Sequence, residues 1–226
     1  SGDFITAPSI SILFSEMIAI WVISFWEKLD CPKQFNLIEL GAGNGEMMKV
    51  LVHTFNKFPK FKNSCKINIL EKSKLLQRTQ KINIKDAKIK WLDNLNELNN
   101  FPCIFIANEF FDALPIKQFL KKERKWYERH VKFTNDKKLE YLDVPFDMQK
   151  FEKEIKFKIS YNQKFIEYSP LATKYLKTII KKIKLNNGGI LIIDYAYLDK
   201  EMKNTLQAVS KHKYCDVLKG FRNSDI

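Results

Sequence analysis

The stretch that decides the fold reads Phe35-Asn36-Leu37-Ile38-Glu39-Leu40-Gly41-Ala42-Gly43-Asn44-Gly45. Its first half is a short, mostly apolar run between Pro32 and Gly41, which predicts a strand that is buried on both faces. The alternate glycines that follow let the backbone turn tightly and approach a ligand without interference from a Cβ atom. A helix is predicted directly afterwards, over residues 46–58. Strand, glycine-rich turn and helix in this order are typical of a nucleotide-like cofactor site.

Predicted helices and strands also alternate before and after this stretch. Before it, an amphipathic helix is predicted with Ser9 as its N-cap, an end near Cys31-Pro32 and a buried face at residues 10, 13, 14, 17, 18, 21 and 25. After it, strands are predicted over residues 66–70, 87–92, 101–107 and 190–194, and helices over residues 74–80 and 169–185. Apolar strands that alternate with helices predict an α/β fold, in which helices cover both faces of a parallel sheet.

Residues 116–168 interrupt this rhythm. Apolar and polar residues alternate over residues 126–133 and 139–142, with Asn135-Asp136 between them, and this pattern predicts an antiparallel hairpin. We therefore divide the chain into three parts. A first helix and a cofactor-binding half occupy residues 1–115, a substrate-facing insertion between the fourth and fifth strands occupies 116–168, and a return to the core sheet occupies 169–226.

The residue that opens the helix after the glycine turn favours one kind of cofactor. A dinucleotide fingerprint, Gly-x-Gly-x-x-Gly, would place its third glycine at position 46, which is Glu46. A carboxylate there would repel a pyrophosphate, whereas S-adenosylmethionine (SAM) has no phosphate and carries a positive ammonium and a positive sulfonium. Glu39 suits that positive moiety. The sequence therefore favours SAM over NAD, with Gly41, Gly43 and Gly45 around its methionine part.

Polar residues at the other strand ends are the remaining site candidates, because ligands bind beyond the carboxyl ends of parallel strands. Glu71 ends the second strand and could accept hydrogen bonds from a ribose diol. Asp93 ends the third strand, where it could meet the adenine amino group or equally well cap a helix or take part in a turn. Asn108, Glu109 and Asp112 follow the fourth strand, where a methyl acceptor would lie. Two carboxylates there suit a cationic acceptor such as a guanidinium group.

The composition argues against several other classes of protein. The net charge is +13, but 35 of the 39 basic residues are Lys and four are Arg, and the Lys are spread over the whole chain. This distribution indicates a solvated surface rather than a nucleic-acid site. The four Cys stand far apart without a Cys-x-x-Cys pair, which favours reduced thiols over a disulfide framework or a metal site. The most apolar stretch, residues 10–26, contains polar residues and is too short for a membrane span.

Four segments occur in an order that resembles a known family: Gly-Asp-Phe-Ile-Thr-Ala-Pro at residues 2–8, Glu39 to Gly45, Ala-Asn-Glu-Phe-Phe-Asp-Ala-Leu-Pro at residues 107–115, and Ile-Asp-Tyr at residues 193–195. On these segments the chain resembles the MidA-like family of SAM-dependent methyltransferases. The mitochondrial members of that family are protein-arginine methyltransferases that assist the assembly of respiratory complex I.

The resemblance implies a class I SAM-methyltransferase fold, SAM as the cofactor, and symmetric dimethylation of an arginine in an NADH dehydrogenase subunit. It also implies that Thr6 helps to close the cofactor pocket, and that the compartment is the cytoplasm of a bacterium or the mitochondrial matrix of a eukaryote. The sequence departs from the family in two ways. Ala196 stands where the family has glycine, and would be strained at a positive φ. The chain is expected to lack the C-terminal strands of a seven-stranded sheet.

Two other functions remain open at this point. One is an RNA methyltransferase, although an Asn/Asp-Pro-Pro-Tyr/Phe run, typical of enzymes that methylate base amino groups, is absent from Asn108 to Phe111. The other is a SAM-binding assembly factor with little turnover. The sequence does not indicate an oligomeric state.

Overall fold

A computed structural model of the chain describes residues 11–85, 88–136, 138–197, 201–210 and 213–218. Within these ranges the chain forms two compact units. The first unit holds the described residues up to 112 together with residues 174–195. The second holds the described residues of 113–173 and those from 196 onwards.

The helices, in chain order, are α1 (Ile12–Lys28), α2 (Glu46–Phe55), α3 (Pro59–Ser64), α4 (Lys74–Ile84), α5 (Met148–Ile155) and α6 (Pro170–Asn186), with a short 3-10 turn at Leu95–Glu97. The strands are β1 (Phe35–Leu40), β2 (Cys65–Leu70), β3 (Lys90–Leu92), β4 (Cys103–Asn108), β5 (Lys117–Lys122), β6 (Lys125–Phe133), β7 (Leu139–Phe146), β8 (Phe165–Tyr168), β9 (Gly188–Ile193), β10 (Ala208–Ser210) and β11 (Lys213–Cys215).

The first unit is built on a sheet with the strand order β3-β2-β1-β4-β9. Every neighbouring pair in it is parallel. β1 lies at the centre, and all six of its residues are buried. Leu37 packs into an apolar cluster on one face, while Ile38 and Leu40 pack into a second cluster on the other face. The predicted α/β fold, with a Rossmann-like parallel sheet covered on both faces, is confirmed.

The first helix is also confirmed, but its details differ. Its N-cap is Ser11, whose hydroxyl accepts a hydrogen bond from the Phe14 N–H at 3.4 Å; the predicted cap, Ser9, lies outside the described residues. The predicted buried face is wrong at Leu13 and Met17, which are 64% and 63% exposed. The buried stripe consists of Ser15, Ile18, Ala19, Val22, Ile23 and Trp26.

The physical reason for this difference is that α1 is apolar nearly all round, so large side chains do not identify its inner face. Ser15 and Ala19 are small and fully buried, and Ala19 packs into the apolar cluster on one face of the sheet. Among the described residues, no helix is both long and apolar enough to cross a lipid bilayer.

In the first unit, three other elements differ clearly from their predicted bounds. The helix predicted over residues 46–58 ends at Phe55, and the short helix α3 begins at Pro59, a residue that is favoured in a first helical turn. α4 continues beyond residue 80 as far as Ile84. β3 is shorter than the predicted strand over residues 87–92, and residue 87 lies outside the described ranges.

The second unit contains an antiparallel sheet with the order β7-β6-β5-β8. β6 and β7 pair from Trp126 opposite Phe146 to Phe133 opposite Leu139, so the predicted hairpin is confirmed and extended. β5, β8 and α5 were not predicted. They complete an apolar core that includes Phe119, Phe151 and Ile166. β10 and β11 form a separate antiparallel pair.

Candidate cofactor site

The turn after β1 has the backbone that its glycines predict. Gly41, Gly43 and Gly45 have φ angles of 66°, 51° and 84°, in the left-handed region that favours glycine. A Cβ atom at Gly43 would meet nothing within 4 Å in the described part of the chain. A Cβ atom at Gly45 would come within 3.1 Å of Ile84 on α4. The loop therefore leaves room at Gly43 and packs tightly at Gly45.

Glu39 places a buried carboxyl group at the end of β1. Its side chain is 3% exposed, and its Oε2 has no hydrogen-bond partner among the described residues. Burial raises the pKa of Glu39 to about 8, because desolvation disfavours the charged form. A buried polar oxygen without a partner is costly. A cationic group of a ligand would supply the partner and favour the ionised carboxylate.

Asn108 presents a second unpaired oxygen on the same face of the sheet. β1 and β4 are parallel neighbours in which Glu39 pairs with Ile106. Asn108 lies two residues beyond Ile106, so it projects from the same face as Glu39. Asn108 Oδ1 is buried, and it too lacks a hydrogen-bond partner within the described ranges. Two adjacent strand ends therefore offer two buried acceptors to one ligand.

The turn that follows Asn108 is held by the end of β9. Asp194 Oδ2 accepts hydrogen bonds from the backbone N–H groups of Phe111, at 3.1 Å, and Asp112, at 3.3 Å. Glu109 has a left-handed φ of 48°, a conformation that costs a non-glycine residue about 1–3 kcal/mol. The N–H of Glu109 donates to the Ile193 carbonyl at 2.9 Å. The turn with both predicted acceptor-side carboxylates is thus a fixed structure. Asp194, a part of the Ile-Asp-Tyr segment, was not predicted to have this role.

Phe110 joins this turn to the glycine loop. A Cβ atom at Gly41 would lie 2.8 Å from the Phe110 ring, so only glycine allows this close approach. The Phe110 ring also meets the rings of Phe111 and Tyr175 edge-on, with centroid distances of 5.3 Å in both pairs. The contact links the glycine loop after β1 to the turn after β4, and both lie at the carboxyl ends of parallel strands.

Glu71 lies beside the same loop and is held by two donors. Its Oε1 accepts from the Ser73 N–H at 2.8 Å, and its Oε2 accepts from Gln80 Nε2 at 3.2 Å. Gln80 was missed in the sequence, because a glutamine inside a predicted helix has no distinctive pattern. The available signal was its spacing from Gln77 and Ile84, which together with Gln80 form the buried face of α4.

The remaining predicted positions are less closely tied to the loop. Asp93 lies at the surface, where its carboxylate is 3.1 Å from Lys74 Nζ and both side chains are 67% exposed. Asn94, not Asp93, is the N-cap of the 3-10 turn that follows, so the predicted capping role of Asp93 is wrong, while its alternative role in a turn stays a prediction. Thr6, with the whole segment 2–8, lies outside the described residues. Ala196 does not have a positive φ, so the expected strain is absent there.

The fold and these side chains define a Rossmann-like cofactor-binding unit. Its glycine loop leads into a helix that begins with Glu46. The carboxylate of Glu46 would repel a pyrophosphate bound at this helix N-terminus. Glu39 is buried and its Oε2 has no hydrogen-bond partner among the described residues, which favours a cationic group. The arrangement therefore fits a positively charged cofactor without phosphate, such as SAM.

Comparison with known proteins agrees with this class. A family model described as "putative S-adenosyl-L-methionine-dependent methyltransferase" matches residues 17–226. The chain belongs to this family. The resemblance seen in the sequence motifs is thereby confirmed, and SAM, the predicted cofactor, is the cofactor of the family.

Among curated proteins, the chain is similar to the mitochondrial protein arginine methyltransferase NDUFAF7 of Xenopus tropicalis, with 26% identity over 254 residues, covering 100% of the chain and 58% of that relative. The human NDUFAF7 is 27% identical over 243 residues, covering 96% of the chain and 54% of that relative.

Among solved structures, the fold matches a "likely methyl transferase" from Burkholderia thailandensis bound to S-adenosyl-homocysteine. The TM-score is 0.79 at 21% sequence identity, over 99% of this chain and 59% of that protein. The chain thus spans little more than half the length of the relatives that it matches.

Proposed function

We propose that this chain forms the SAM-binding part of a methyltransferase that acts on arginine in a protein. The observation that carries the cofactor part is the buried Glu39 carboxyl group, whose Oε2 has no partner among the described residues. It lies at the end of the strand that leads into the glycine loop, where a Cβ atom at Gly43 would meet nothing within 4 Å among the described residues. A site with an unpaired buried acid suits a ligand that brings a positive charge.

Each residue has a distinct task in this proposal. The loop of Gly41, Gly43 and Gly45 gives the methionine part access to the backbone, and Glu39 lies near its charged groups. Glu71 accepts hydrogen bonds from the ribose hydroxyls. Bound SAM supplies a methyl group attached to a positively charged sulfur. Asp93 remains the candidate for the adenine side, although its exposure makes it the weakest of these residues. Thr6 also stays a prediction.

The acceptor side consists of Asn108, Glu109 and Asp112. An arginine side chain presents a planar fork of N–H donors, which carboxylates can bind in a defined plane. The nitrogen that gains the methyl group must also lose a proton, and a carboxylate of the turn can receive it. The hydrogen bonds of Asp194 to the turn keep these groups in place, which is what the orientation of an acceptor requires.

The names of the similar proteins support a protein arginine as the acceptor. The finer proposal is an arginine of an NADH dehydrogenase subunit, methylated symmetrically on both terminal nitrogens, as the MidA-like resemblance implies. The compartment is then the mitochondrial matrix for a eukaryotic protein, in line with the label of these relatives, or the cytoplasm for a bacterial one.

The test uses the full-length protein with methyl-labelled SAM and three acceptors: NADH dehydrogenase subunits, the same subunits with individual Arg→Lys changes, and total RNA. We expect label on arginine, and loss of the label with one Arg→Lys change. Label on RNA or lysine alone would contradict the arginine proposal. Binding of SAM without any labelled acceptor would instead support an assembly factor with little turnover.

A further inference from the structure

Gln80 makes three hydrogen bonds that connect separate parts of the proposed cofactor site. Its side chain is fully buried. Its Nε2 donates to the Gly43 carbonyl at 2.8 Å and to Glu71 Oε2 at 3.2 Å. Its Oε1 accepts from Trp91 Nε1 at 2.8 Å. One amide group therefore links the glycine loop after β1, the carboxylate after β2 and the short strand β3.

The partners of this amide permit a single orientation. The indole N–H of Trp91 can only donate, so the Gln80 oxygen must face it. The amide nitrogen must then face Gly43 and Glu71, whose oxygens can accept both of its protons. A side chain of the same size without this donor and acceptor pattern would leave buried polar groups unpaired.

The consequence for Glu71 concerns its remaining lone pairs. Oε1 accepts from the Ser73 N–H and Oε2 from Gln80, so each carboxylate oxygen has one protein donor. A carboxylate oxygen has two acceptor positions, so the described residues leave one on each oxygen for a ligand. Two adjacent acceptors, fixed in plane, match the two hydroxyl groups of a ribose diol.

We propose that Gln80 is a positioning residue that holds Glu71 for recognition of a ribose diol. This inference rests on the proposed cofactor function. Gln80 does not itself touch the ligand. It acts through Glu71, so its effect on binding should disappear when the Glu71 carboxylate is absent.

The test is a double-mutant cycle, measured by calorimetric binding of S-adenosylhomocysteine to the full-length protein. The variants are Gln80→Leu, Glu71→Gln and the two combined. Thr79→Val is the control on the same helix, where the hydroxyl donates to the Leu75 carbonyl of its own helix. We expect Gln80→Leu to weaken binding by about tenfold or more, and the combined variant to bind no more weakly than Glu71→Gln alone.

A second measurement separates positioning from general loss of structure. The 2′-deoxy analogue of the ligand lacks one of the hydroxyl groups assigned to Glu71. The wild type should prefer the natural ligand, and Gln80→Leu should lose much of this preference. If Gln80→Leu does not fold, Gln80→Glu replaces it, since a carboxylate can accept from Trp91 but when ionised cannot donate to Glu71.

The outcomes distinguish the two proposals. Additive losses in the cycle, or an unchanged preference for the 2′-hydroxyl in the Gln80 variant, would overturn the role of Gln80 while leaving SAM binding intact. Failure of the wild type to bind the ligand at all would overturn the proposed function, and the role of Gln80 with it.

Discussion

A carboxyl group as deeply buried as that of Glu39 is mostly protonated in the free protein at neutral pH, since burial raises its pKa to about 8. A ligand with a positive charge favours the ionised form. Ligand binding and release of the Glu39 proton are therefore linked. The proposed partner of this group is the methionine ammonium, so the linkage should be visible with S-adenosylhomocysteine as well as with SAM.

The first prediction follows from that linkage. The affinity of the wild type for S-adenosylhomocysteine should rise between about pH 6 and about pH 8, by up to about tenfold per pH unit, and level off above the pKa of Glu39. Glu39→Gln should bind more weakly, with a flatter pH profile. Calorimetry in buffers of different ionisation enthalpy measures the released proton. Because titration of the ligand is common to both proteins, equal slopes would contradict the role of Glu39.

The second prediction concerns stability without ligand. Because the folded-state pKa of Glu39 is raised, the folded protein binds more protons than the unfolded chain between the ordinary value of 4.5 and about 8. The contribution of Glu39 to the free energy of unfolding is therefore fully present below that pH window and is lost as the pH rises through it. Glu39→Gln should therefore gain stability relative to the wild type as the pH approaches about 8. Denaturant unfolding at several pH values would measure this gain, and a constant difference would contradict it.

At the scale of elements, the end of β9 shapes the turn after β4. The Asp194 carboxylate accepts from the amides of Phe111 and Asp112, and β4 and β9 are parallel neighbours through Asn108 opposite Ile193. The strained Glu109 lies within this connection. Asp194, which lies far from this turn in sequence, thus helps to hold its conformation.

A third prediction tests this dependence. Asp194→Ala should speed hydrogen exchange at the Phe111 and Asp112 amides by about tenfold or more, because each loses a charge-assisted hydrogen bond. Amides in the β6–β7 hairpin provide the internal control and should keep their rates. Unchanged protection at residues 111 and 112 would show that another acceptor holds the turn.

The corrected face of α1 supports a fourth prediction. Ala19 is fully buried, so Ala19→Leu should overpack the core and lower the free energy of unfolding by about 1–3 kcal/mol. Met17 on the same helix is 63% exposed, and Met17→Gln should change the free energy of unfolding by less than about 0.5 kcal/mol. Thermal or denaturant unfolding of both variants decides between the two faces. Equal losses would favour the face first predicted from side-chain size.

The structure could be predicted from the sequence where a feature depends on a short local pattern of residues. The glycine loop, the apolar core strands and the β6–β7 hairpin are encoded by short patterns, so their presence could be predicted from neighbouring residues. The roles of Gln80 and Asp194 depend on contacts with segments that are distant in sequence. The residues next to them form no pattern that predicts those contacts. The face of α1 was mistaken at Leu13 and Met17 because its apolar residues surround the helix. β5 and β8 were missed because they pair across a long separation and β5 is rich in lysine.

At the scale of the whole molecule, the candidate site belongs to a single unit. The glycine loop, Glu39, Glu71, Gln80 and the turn of Asn108 to Asp112 all lie in the first unit. We therefore expect this unit to bind the cofactor. The protein arginine that accepts the methyl group is part of the proposed function. The net charge of +13 does not change this assignment, because its lysines are distributed along the chain.

The most direct test of the central claim is calorimetry on the full-length protein with S-adenosylhomocysteine and with NAD, repeated with Gly43→Val. A Cβ atom at residue 43 would meet nothing within 4 Å in the described ranges, so the variant should fold, although its positive φ costs some stability. We expect the wild type to bind S-adenosylhomocysteine but not NAD, and Gly43→Val to weaken this binding by about tenfold or more. Binding of NAD in place of S-adenosylhomocysteine, or equal affinity of a folded Gly43→Val variant, would contradict it.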